Sequence, residues 1–166
     1  MSWFERRLPV ALLWLVVAGC GFQVRSSAEF PASVSVAYIQ TADPYTPFYQ
    51  ALTEAIRASG RTLSDDPTAA DTVIRILRDE TGQRILSVSA RNVPREYDVF
   101  YLVRYSVSMN GKEVLPPQQL ALRRDYTYDE TRVLGKSLEE EMLRQSLAED
   151  LVGLIVRRIA SVRTDD

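Results

Sequence analysis

The stretch Tyr97-Asp98-Val99-Phe100-Tyr101-Leu102-Val103-Arg104-Tyr105-Ser106-Val107-Ser108-Met109 alternates along its length, so that Tyr97, Val99, Tyr101, Val103, Tyr105 and Val107 share one side. Period two sustained this far, in β-branched and aromatic residues, predicts a long strand with one buried face. The stripe reads first as core packing beneath helices. Tyrosine is also favoured where one end of a side chain stays wet, so the same stripe suits a lipid-binding surface or half of a partner interface.

Outward from this strand, Asn110-Gly111 predicts a hairpin turn. Leu115-Pro116-Pro117 is expected to break the sheet, and Gln118 to Tyr128 resumes it with Leu120, Leu122 and Tyr126 on one face. On the other side, Arg84 to Arg91 forms a strand joined through Asn92-Val93-Pro94, and these short connections dictate antiparallel pairing. Farther back, Thr72 to Arg78 is β-branched, and Val34 to Gln40 alternates Val34, Val36 and Tyr38 against Ser33, Ser35 and Ala37. Between those two strands lies a helix. Thr46 is its N-cap and Pro47 its first residue, Phe48, Leu52, Ala55 and Ile56 form its apolar stripe, and Ser59-Gly60 stops it. The strand-helix-strand order predicts a parallel pair.

From Thr131 the period changes. Leu134, Leu138, Met142, Leu147, Leu151, Leu154, Ile155, Ile159 and Val162 recur at near-helical spacing over roughly 30 residues and are expected to share one side of a long amphipathic helix. Two helices with apolar stripes and a sheet with one face to cover give an α+β two-layer sandwich on a mixed four- to five-stranded sheet.

The N-terminus carries a different signal. Arg6 and Arg7, the apolar run Leu8 to Val17 and then Ala18-Gly19-Cys20 have the layout of a secretory signal peptide ending in a lipobox-like V-A-G-C. The reading is a signal peptide over residues 1–19, a lipid-anchored tether over 20–30 and a single α/β domain over 31–166. Cys20 becomes the lipid attachment point, and multiple acyl chains there suffice for stable membrane anchoring. Gly21 follows it rather than the aspartate of the inner-membrane retention signal, which directs the expectation to the outer membrane.

Composition removes most other functions. The chain of 166 residues has no histidine and one cysteine, which excludes His-based triads, Cys-His pairs and zinc sites built on those residues. Twenty basic against 22 acidic residues leave no overall positive field for nucleic acid, and no nucleic-acid partner is expected. The only lysines are Lys112, in a hairpin turn, and Lys136, whose neighbour Ser137 lacks the S-x-x-K spacing of a nucleophile pair. No enzyme activity, cofactor or metal is expected. Glu139 to Glu141 point in three directions around a helix and cannot converge on one cation. Arg123, Arg124 and Asp125, with Tyr126 and Tyr128, suggest either a polar pocket or, more simply, a strand's solvated face.

Three segments together resemble the lipopolysaccharide-assembly lipoprotein family, the LptE-type subunit of the outer-membrane translocon. They are Cys20-Gly21-Phe22-Gln23-Val24-Arg25, the stretch Ala90-Arg91-Asn92 through Glu96-Tyr97, and Leu122 to Asp129 running into Val133-Leu134-Gly135-Lys136 and Glu139-Glu140. Gln23 departs from the histidine of some relatives. The resemblance implies a lipoprotein inside the lumen of an LptD-type β-barrel that assists the barrel's folding and contacts lipopolysaccharide. It also implies Arg91 and Lys136 as the basic positions that meet the lipid. Guanidinium and ammonium groups at neighbouring element ends suit a diphosphorylated head group, although both residues also fit ordinary solvated charges. A free outer-membrane lipoprotein carrying phospholipid or other envelope amphiphiles is the alternative reading.

If Cys20 is the sole membrane attachment, Cys20→Ala produces a folded domain that fractionates with soluble periplasmic protein. Membrane association of this variant in cells lacking a partner barrel would reveal a second anchor.

Overall fold

The computed structural model describes residues 29–127 and 133–162, with side chains from residue 138 onward in the second stretch. Five strands, β1 (Val36–Gln40), β2 (Thr62–Leu63), β3 (Thr72–Val88), β4 (Pro94–Met109) and β5 (Lys112–Thr127), form one open sheet in the order β2-β1-β3-β4-β5. β1 pairs in parallel with both β2 and β3, whereas β3, β4 and β5 form an antiparallel meander. Helix α1 (Pro47–Ala58) and helix α2 (Val133–Ser161) complete an α+β architecture.

Local chemistry fixes the ends of α1. The Thr46 side chain accepts a hydrogen bond from the Tyr49 N–H at 3.1 Å, so the N-cap satisfies a donor that the helix leaves orphaned. At the other end Gly60 adopts φ +69°, its N–H donates to the Arg57 carbonyl, and the Arg61 N–H donates to the Ile56 carbonyl at 3.1 Å. That left-handed pair of bonds is a Schellman stop, which glycine enters without the steric cost of a Cβ. The face between these caps buries Phe48, Ala51, Leu52 and Ile56.

Both helices cover the same side of the sheet. Val99, Tyr101, Val103, Tyr105 and Val107 of β4 are all 0% exposed, in contact with the apolar faces of α1 and α2. The opposite face carries Arg78, Arg104 and Arg123 into solvent, the ordinary division of an antiparallel sheet.

Four expectations require correction. Thr72 to Arg78 and Arg84 to Arg91 are one strand ending at Val88, because β4 offers backbone partners throughout and the intervening Asp79 to Gln83 continues the ladder. Gly82 is tolerated within it because the Phe100 ring covers the space; a Cβ there would lie 2.9 Å from Phe100 Cζ. Pro116 and Pro117 do not interrupt β5. They stand together opposite the single residue Ser106, a bulge on an edge strand, where a missing N–H breaks no second ladder. The sheet also gains β2, too short to show periodicity.

The fourth correction concerns α2. Leu147, Ala148, Leu151, Val152, Ile155, Val156 and Ile159 are buried, but Leu138 is 61% and Met142 64% exposed. The step from Met142 to Leu147 is five residues, which at 100° each turns the stripe by about 140°. Half-buried Leu143, four residues before Leu147, carries the core face instead. Leu134 of the expected stripe lies outside the residues whose side chains are described. No helix among the described residues is long and apolar enough to cross a membrane.

Leu151 is 0% exposed, and Leu151→Asp buries an unpaired carboxylate at a cost of several kcal/mol, against a total stability on the order of 5–15 kcal/mol. Its melting temperature should fall by at least about 10 °C. Met142→Asp should change it by no more than a few degrees, and equal losses in thermal melts would refute this division of the helix.

Candidate functional site

The β3–β4 hairpin ends in a tight turn in which the Ser89 N–H donates to the Val93 carbonyl at 2.7 Å and the Asn92 N–H to the Ser89 carbonyl at 2.9 Å. Asn92 takes φ +60°, a left-handed conformation that asparagine tolerates better than most side chains. Arg91 stands in this turn, three residues beyond the strand it was expected to end, and is exposed. Its side chain has no hydrogen bond or ion pair among the described residues.

The start of α2 is at the same end of the sheet. Thr127, the last residue of β5, lies directly opposite Glu96, near the beginning of β4, and α2 starts six residues later at Val133. Lys136 is thus in the first turn of α2, and its side chain lies outside the described residues. Cys20 lies outside them as well.

Several other basic groups are already engaged. Arg84 is 2.6 Å from Asp98, whose side chain is only 3% exposed, and its guanidinium carbon lies 5.3 Å from the centre of the Phe100 ring. This charge-assisted bond and cation–π stack lie in the distal half of the hairpin, one rung before the Ile85–Tyr97 pair. Arg124 pairs with Asp150 at 2.7 Å, tying β5 to α2, and Arg144 pairs with Glu140 along α2. Arg158 donates to Gln118 at 2.5 Å. Arg91 and Arg95, by contrast, are exposed without such partners among the described residues. Sequence reasoning passed over Arg95; its available signal is that Ile85 to Arg95 contains two arginines and no acidic residue.

A second polar cluster lies at the junction of α1 with the sheet. Thr46 Oγ1 donates to Asp79 Oδ2 at 2.6 Å, and the Phe48 N–H donates to the Tyr101 hydroxyl at 3.1 Å. The Asp79 carboxylate also acts on the Tyr101 hydroxyl. Burial pushes the Asp79 carboxyl above the usual aspartate range, against the opposing pull of its bonds from Thr46 and Tyr101, and Asp43 raises it further. Burial likewise pushes the Tyr101 hydroxyl upward, reinforced by the charge of Asp79. The cluster pins the first turn of α1 to β3 and β4. Nothing in it positions a nucleophile.

The remaining candidates resolve simply. The β4 tyrosine–valine stripe is core. Arg123, Arg124 and Asp125 are exposed, as are Glu139 and Glu141. A groove of about 470 Å³ runs between the start of α1 and α2, walled by Tyr45, Gln50, Glu140, Glu141 and Arg144. Its two carboxylates and one guanidinium are poor company for a hydrocarbon chain.

Comparison with known proteins adds sequence and structural relatives. The family described as LptE: Lipopolysaccharide-assembly matches residues 34–159. The LPS-assembly lipoprotein LptE of Yersinia enterocolitica is 29% identical over 156 residues, covering 93% of this chain and 75% of its own. That of Pectobacterium atrosepticum is 26% identical, covering 93% of this chain and 84% of its own. Among solved structures, the rare lipoprotein B of Shewanella oneidensis superposes with a TM-score of 0.66 at 26% identity, covering 76% of this chain and 95% of its own. Lipoprotein B of Nitrosomonas europaea gives a TM-score of 0.67 at 26% identity, over 85% of this chain and 91% of its own.

The raised Asp79 carboxyl makes a signed prediction. Ionisation opposes folding here, so its contribution is fully favourable below the ordinary value of 3.8 and is lost as pH rises through the higher folded value. The stability of Asp79→Asn relative to the unaltered chain should therefore increase between about pH 4 and 6. A flat or falling difference in denaturant titrations would mean that the bonds from Thr46 and Tyr101 outweigh burial.

Proposed function

The chain belongs to the LptE lipopolysaccharide-assembly family, and from that premise we propose that it plugs and assists assembly of an LptD-type outer-membrane β-barrel and binds lipopolysaccharide in transit. Membership carries a role in lipopolysaccharide transport. The finer reading rests on one observation: the hairpin turn bearing Arg91, which has no ion pair among the described residues, and the helix start bearing Lys136 occupy the same end of the sheet.

Lipid A presents phosphates on a compact sugar head group. Guanidinium offers paired donors to phosphate oxygens and ammonium a compact charge, so Arg91 and Lys136 supply complementary modes of contact. Anchoring through Cys20 holds the domain at the outer membrane, where such a ligand arrives. A two-layer body with 20 basic and 22 acidic residues in its chain also suits the polar lumen of a large barrel.

A charge-assisted contact is worth about 1.5–3 kcal/mol, and about 1.4 kcal/mol is tenfold in affinity. The double change Arg91→Asp, Lys136→Asp should therefore weaken lipopolysaccharide binding well over tenfold at moderate salt, with the thermal melt unchanged. Retained affinity would remove this pair from the site.

A further inference from the structure

The hairpin tip carries more than charge. Ile85 is 55% exposed, Leu86 52% and Val88 52%, so three of the seven large apolar side chains exposed among the described residues fall within four positions. Single exposed aliphatics are ordinary surface chemistry, but this concentration is local. It is also continuous with the core. Ile85 lies directly opposite Tyr97, which lies directly opposite Tyr126, and the two tyrosine rings stack with centroids 5.5 Å apart. Along this row burial fades outward from Tyr126, 8% exposed, to half-exposed Ile85. A bulge between Ile85 and Ser87 removes Leu86 from strict alternation and places it at the same distal end.

Charge narrows the occupant. Arg91 and Arg95 are exposed beside these aliphatics without an ion pair among the described residues, while the neighbouring Glu96 carboxylate is engaged by the Ser87 hydroxyl at 2.7 Å. Exposed apolar side chains with adjacent guanidiniums fit a molecule that is itself hydrocarbon at one end and phosphate at the other. We propose that the tip of the β3–β4 hairpin is an acyl-chain contact, in which Ile85, Leu86 and Val88 take hydrocarbon of an acylated phosphoglycolipid whose phosphates meet Arg91 and Arg95. This deepens, and rests on, the reading of the chain as a lipopolysaccharide binder. It adds the acyl chains, and Arg95, to what the site recognises.

The test uses the full lipidated chain captured on beads and two probes: purified lipopolysaccharide, and its fully deacylated phosphosugar backbone, which keeps the phosphates and lacks the chains. Ile85→Ser, Leu86→Ser, Val88→Ser combined should lower affinity for lipopolysaccharide at least tenfold and leave binding of the deacylated probe within twofold. Arg91→Ser, Arg95→Ser should weaken both. Leu86→Ser alone, at a half-exposed position, should reproduce the selective loss at about threefold and guards against a folding defect in the triple variant, whose thermal melt is compared directly. If the aliphatic variants bind lipopolysaccharide normally while the arginine variant does not, the acyl contact is wrong and lipopolysaccharide binding stands. If neither set changes lipopolysaccharide binding, the tip is not the site and the reading beneath it falls as well. Loss of a co-purifying β-barrel with lipid binding intact would make the tip a protein interface and overturn the proposal.

Discussion

One face of β4 lies dry beneath two helices, and the rest of the molecule is arranged around that burial. Valine and tyrosine alternate there so that each inward position is filled, with Tyr101 and Tyr105 the bulkiest fully buried side chains. Tyr101 does a second job. Its hydroxyl accepts the Phe48 N–H, joining a buried aromatic to the first turn of α1. A buried polar tip with a partner adds geometric specificity to apolar packing, fixing where the helix begins over the sheet. Because both helices crowd this face and β3 and β4 run on past it, the distal hairpin is left uncovered.

That uncovered end also carries charge. Arg84, Arg124 and Arg144 each have a carboxylate; the exposed Arg124–Asp150 pair contributes little stability, whereas Arg84 covers a buried Asp98. At the tip, Arg91 and Arg95, without ion pairs among the described residues, stand beside exposed aliphatics. Aliphatic and guanidinium groups therefore stand together at the hairpin tip, where a ligand with phosphate and hydrocarbon parts finds both.

Most of this architecture is legible in the residues. The alternation of Tyr97 to Val107, the Thr46-Pro47 start, the Ser59-Gly60 stop and the Asn110-Gly111 turn each state a local geometry that tertiary packing did not override. Asn110 and Gly111 adopt positive φ, as a tight hairpin requires. What escaped was non-local. The continuity of β3 through Gly82 depends on Phe100, a cross-strand neighbour invisible to a reading along the chain. Tolerance of Pro116-Pro117 depends on β5 being an edge. In α2 an apolar residue recurs at each turn, but the five-residue step from Met142 to Leu147 changes its face. Arg91 could be singled out by resemblance, but its place in the turn rather than the strand, and the exposed aliphatics before it, emerge only from the paired hairpin.

The account turns on the chain acting as the lipoprotein partner of a barrel in lipopolysaccharide transport. The most direct measurement is affinity isolation of the lipidated chain from detergent-extracted outer membranes, with the stoichiometry of co-isolated protein determined after separation. One large β-barrel, recognised by its heat-dependent migration and present in equimolar amount, is the predicted result. Recovery of the chain alone, from membranes shown to contain such a barrel, would contradict it.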